Sequence, residues 1–111
     1  MVDTDQEALD PDSLYHLATS HEWVDYQAAE VMAPPSLAAE GFVHCSWGRQ
    51  VRSTVARHFS GVTDVLALEI DPTALGDLPL VEEDSYASGQ SFPHVYGQIP
   101  VSAVIRVVSI D

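Results

Sequence analysis

The longest unbroken apolar run in this chain is four residues, Val65-Leu66-Ala67-Leu68. A bilayer-spanning helix needs roughly 20, so the fold must be assembled from short elements that each bury one face. Around that run the polarity alternates, with Val65, Ala67 and Glu69 against Leu66, Leu68 and Ile70. That period of two predicts a strand over 64–70. With 111 residues, such pieces make one domain and a single core.

Other local signals fill in the order. Leu14-Tyr15-His16-Leu17 reads as a short strand, and Thr19 with Glu22 three residues on is a capping-box pattern. The helix it opens carries Trp23 and Tyr26, as core or groove wall, and ends near Glu30. Pro34-Pro35 force an extended segment. One helical turn over 36–40 follows, stopped by Gly41 as a left-handed cap. Phe42-Val43-His44-Cys45 reads as a buried strand, and Ser46 as the cap of a second helix. In that helix Val51, Val55 and Phe59 share a face. A further strand over 78–82, a Ser- and Gly-rich loop over 84–92 and a β-branched strand over 104–110 complete the pattern. Residues 1–12 read as an acidic flexible tail, and 13–111 as a single α+β domain with two main helices.

Charge restricts the partners. Seventeen Asp and Glu face four Arg and no Lys, a formal charge of −13. Nucleic-acid affinity comes largely from neutralised phosphates, so neither DNA nor RNA is expected as a partner. An anionic membrane surface is excluded by the same balance. A basic partner, a halophilic host and plain solubility all remain compatible with it. The acidic N-terminus is the reverse of a secretory signal, and one cysteine allows no internal disulfide. A cytoplasmic location is expected.

The glycines never fall in a phosphate-loop or dinucleotide spacing, and no serine lies in a nucleophile elbow. The residues left for chemistry are His16, His44 and His94, each set among apolar neighbours at a strand position. A buried imidazole needs partners and can change charge near neutral pH. Each could equally be a satisfied core histidine. His21 and His58 read as surface residues. Ser46, Arg49 and Arg52 at the start of the second helix form a candidate anion pocket, with Trp47 as a platform for a flat ring; the alternative is a plain cap with two paired arginines. Glu82-Glu83-Asp84 offers carboxylates for acid–base work or merely a solvated strand end. Cys45 neighbours His44, but adjacent strand residues face opposite ways, so it reads as buried and inert. Three imidazoles could also hold zinc, yet their spacing carries no metal signature, and no metal is expected.

These blocks bring a resemblance with them. Leu14-Tyr15-His16-Leu17 followed by Trp23, Pro35-Ser36-Leu37 with Glu40 to Ser46, and Phe92-Pro93-His94-Val95-Tyr96-Gly97 with Ile99-Pro100 resemble the small bacterial family known as domain of unknown function 952. That resemblance implies an ADP-ribosyltransferase-like fold, a split mixed β-sheet that clamps NAD. It implies that His16 holds a ribose hydroxyl and that His44 and His94 belong to the second and third motifs. Where such proteins often carry a glutamate near the third motif, this chain has Gln90, which leaves Glu83 as the carboxylate for an oxocarbenium-like ribose. The resulting expectation is NAD or an ADP-ribose-like molecule in a histidine-lined cleft. His16, His44, His94 and Glu83 are its reactive groups; Ser46, Arg49 and Arg52 face the pyrophosphate, and Trp47 or Tyr96 the ring. The alternatives are a non-catalytic small-molecule or protein-binding module, and a histidine metal site.

Overall fold

The capping box at Thr19 forms as its spacing predicts. In the computed structural model the Thr19 hydroxyl accepts from the Glu22 N–H, and the Glu22 carboxylate accepts from the Thr19 N–H. The structure describes residues 2–3, 9–85 and 87–110. Among them run β1 (Val2–Asp3), β2 (Leu14–Thr19), α1 (Ser20–Ala29), β3 (Val31–Met32), α2 (Pro35–Glu40), β4 (Val43–His44) and β5 (Ser46–Trp47). Then follow α3 (Val51–His58), β6 (Val65–Ile70), β7 (Leu80–Glu83), β8 (Phe92–Val95), β9 (Ile99–Pro100) and β10 (Val104–Ile110). The fold is mixed α+β.

Among the described residues three sheets form, ordered β1-β10-β6-β2-β5, β3-β9 and β4-β8-β7. β6 sits centrally, antiparallel to both β2 and β10. Its period of two gives it two buried faces. Leu66, Leu68 and Ile70 join Leu14, Ala18, Tyr26, Val43 and Val95 in one core. Val65 and Ala67 join Tyr15, Leu17, Val51 and Val108 on the other side, where Val55 and Phe59 of the α3 region pack. The shared face expected for Val51, Val55 and Phe59 is thus the one that docks α3 on the large sheet.

Two expectations change. Pro35 opens α2 at its first turn, where a missing N–H costs nothing. Ser46 caps no helix. It pairs with Tyr15 in β5, and a 3₁₀ turn over Gly48–Gln50 precedes α3, with the Gln50 side chain accepting from the Trp47 N–H. Of the tail expected over 1–12, residues 1 and 4–8 lie outside the described residues. Val2–Asp3 runs parallel to β10, and the Asp10 N–H donates to the Tyr15 hydroxyl. Among the described residues no helix is long and apolar enough to cross a membrane.

Candidate functional site

β2 pairs with β5 only through Leu14 and Tyr15. From His16 onward its outer edge opens on a cleft of about 290 Å³, walled by α1, the Pro34-Pro35-Ser36 segment, the β4–β5 turn and α3. Most of its exposed wall area is apolar, with Leu17, the two prolines, Phe59 and Phe92 among polar side chains from α1, α3 and the β4–β5 turn. Such a lining is typical of small-molecule sites.

His16 lies at the bottom, buried. Its Nδ1 is 2.8 Å from the His44 carbonyl, and its Nε2 is 3.5 Å from the Tyr26 hydroxyl. A carbonyl only accepts, so Nδ1 carries the proton and donates. Burial holds the ring below histidine's usual pKa, outweighing the raising effects of that carbonyl and of Glu22. The neutral ring then presents Nε2 as an acceptor. Tyr26 stays a neutral phenol, pushed up to about 12 by burial first and by the charges of Glu22 and Asp25 next.

His44 and His94 face each other across β4 and β8, so both rings lie on the same side of the small sheet. Their centroids are 5.1 Å apart, edge to face, and Phe42 stacks on His94 at 4.0 Å. His44 Nε2 meets Glu40 at 2.9 Å and lines the cleft, but His94 does not. His94 is fully buried behind it, with Nδ1 2.9 Å from Glu83 Oε1. The Tyr96 hydroxyl donates to the same oxygen at 2.5 Å, and these two hydrogen bonds hold the Glu83 carboxyl below its usual range. His94 Nε2 is buried with no hydrogen-bond partner among the described residues. Among the described residues, no three His, Cys, Asp or Glu side chains are grouped to hold a metal ion.

A family model described as Protein of unknown function (DUF952) matches residues 17–107. This chain belongs to that family. The crystal structure of protein CC0527 from Caulobacter crescentus is similar, at 31% identity and a TM-score of 0.77, over 88% of this chain and 85% of that one. Its solution NMR structure gives 31% identity and a TM-score of 0.71, over 86% and 81%. No curated protein matches.

In this DUF952 domain the cleft gathers only part of the expected set. His16, His44 and Ser46 line it, whereas His94, Glu83, Tyr96, Trp47, Arg49 and Arg52 do not. Ser46 bonds the Thr54 hydroxyl at 3.1 Å. Arg49 turns to the chain before β2, toward the Pro11 carbonyl and Asp12, and Arg52 is exposed. The Trp47 indole donates to Glu82, and Asp84 accepts from the Ser88 and Gly89 amides, so the acidic trio splits three ways. Cys45 is buried, and burial pushes its thiol up, which keeps it protonated.

Other residues line the cleft as well. Ser53, Thr54, Arg57 and His58 line the cleft from α3, and Glu22 and Tyr26 from α1. A signal existed: polar pairs at 53–54 and 57–58 repeat every four residues beside the apolar 51, 55 and 59.

Proposed function

We propose that this domain binds an NAD- or ADP-ribose-like small molecule in the α1–α3 cleft, on an ADP-ribosyltransferase-like fold. The observation that carries the reading is His16. Its Nδ1 is fixed by the His44 carbonyl, its ring is neutral, and its acceptor Nε2 has a long contact with Tyr26 at the cleft wall. A ribose hydroxyl donating to Nε2 satisfies that atom without moving the ring. The ring face of the ligand has Phe92 and the prolines to pack against.

The reading is one of binding. Glu83, the carboxylate expected to stabilise a ribosyl cation, is engaged by His94 and Tyr96 outside the cleft lining. The test is a titration with NAD and ADP-ribose followed by NMR. Shifts are expected at His16, Leu17, Tyr26 and Ser53, and His16→Ala should abolish them while the fold persists. No movement of these signals at millimolar ligand would overturn the reading.

A further inference from the structure

A second groove, of about 360 Å³, runs between α1 and the β3–α2 connection. It shares Glu22, Tyr26 and the two prolines with the cleft and adds Asp25, Ala29, Val31 and Ala33. Its apolar part is built mainly from small and aliphatic side chains, and its charged part is acidic. Glu22 and Asp25 stand three residues apart on α1, and Glu22 is fixed by accepting from the Thr19 N–H at 2.8 Å. Like charges about one turn apart on a helix repel and weaken it. α1 ends beside the groove at Ala29, with no basic residue in its last turn and Glu30 as its C-cap, so its negative pole is not neutralised there. The exposed His21 lies 3.5 Å from Asp25 and carries charge only when protonated. Among the described residues none of the four arginines lines the groove. Two carboxylates and a helix pole thus meet at one apolar groove, and no arginine of the chain answers them.

We propose that this groove docks a basic side chain, arginine or lysine, carried on an extended segment of a partner protein. The alkyl stem lies along Ala29, Val31, Ala33 and the prolines, as such stems do on apolar surface. The charged head reaches Glu22 and Asp25. The formal charge of −13 steers such a partner toward the domain. The same charge repels a second copy, which has no lysine to offer. The inference does not depend on the nucleotide reading, because the groove extends beyond the residues that reading uses.

The test is an NMR titration at physiological salt with the peptide acetyl-Gly-Gly-Arg-Gly-Gly-amide, its lysine analogue and its citrulline analogue, which keeps the shape of arginine without the charge. The arginine and lysine peptides should shift the amide signals of Asp25, Ala29, Val31 and Ala33. They should leave Ser53 and Thr54, which line the cleft and not the groove, in place. The citrulline peptide should shift neither set. Asp25→Asn should weaken binding about three- to fivefold, the effect of one solvated ion pair. Asp77→Asn, which removes the same charge from a residue that does not line the groove, should not. No shift at millimolar peptide, shifts scattered over the acidic surface, equal losses in the two variants, or equal binding of the citrulline peptide would each overturn the proposal. So would shifts at these residues on raising the concentration of the protein alone, which would make a second copy the occupant.

Discussion

His94 and Glu83 are diagonal neighbours on one face of the small sheet, joined Nδ1 to Oε1 at 2.9 Å although Glu83 pairs in register with Phe92. The diagonal reach is possible because glutamate is long enough to span it. The imidazole is completely buried while the carboxylate is half-exposed, so one atom of Glu83 links the interior to solvent.

Removing the ring should therefore cost more than removing its polarity. His94→Ala leaves a void beneath Phe42 and is expected to lose about 2–4 kcal/mol. His94→Phe keeps the stack at Phe42, deletes the buried Nε2 and frees Glu83 to turn to water. It should cost less than half as much in urea denaturation. Equal losses would mean that the bond to Glu83 outweighs the packing.

Burial makes His16 a pH-dependent element. Its pKa is lowered in the folded state, so the unfolded chain takes up the proton first. The stabilisation is complete above the unfolded value and is lost as pH falls toward the lower folded one. Melting temperature should decline as pH falls below about 6.5. His16→Gln should flatten that part of the curve. A decline unchanged in this variant would assign it to other groups.

What could be read from the sequence was whatever depends on near neighbours. The capping box at Thr19 and Glu22, the alternation of β6 and the Gly41 stop, with φ of 89°, all form as expected. Ser46 fails because the decision is long-range. Its backbone is drawn into β5 by Tyr15, and α3 begins after the 3₁₀ turn, at the N-cap position Gln50, with no side-chain cap. No window of sequence around Ser46 contains that pairing.

The site divides the same way. His16 and His44 reach the cleft from strand positions legible in their apolar surroundings. The meeting of His94 with Glu83 depends on the β7–β8 register, which nothing local encodes. His58 reads as a surface residue and is exposed, yet it lines the cleft. Exposure and participation are separate properties, and sequence pattern bears only on the first.

Gly48 sits where the chain before β2 crosses the 3₁₀ turn. Its N–H donates to the Ser13 carbonyl at 2.9 Å, and an added Cβ would overlap the Asp10 carbonyl. Both partners are backbone and cannot swing aside. Gly48→Ala should lose about 1–3 kcal/mol by thermal denaturation. Gly41→Ala, with open space around its Cβ position, meets only the left-handed backbone penalty of about 1 kcal/mol. The reverse order would show that the crossing is not held.

Charge placement sharpens the expectation about nucleic acid. Of the four arginines, Arg49 is turned to Asp12 and the Pro11 carbonyl, and Arg106 binds Glu69 and the Tyr15 hydroxyl. Arg57 lies on the cleft, and Arg52 is exposed on α3. They form no stripe along which a phosphate backbone could run, and the surrounding carboxylates repel one. The domain should therefore retain neither tRNA nor duplex DNA at physiological salt. Gel-shift titrations at low and physiological salt check this. Any weak retention at low salt should vanish with a steep salt dependence. A specific RNA complex that persists at physiological salt would show that the cleft accepts a polymer end, and would shift the ligand class from free nucleotide to RNA terminus.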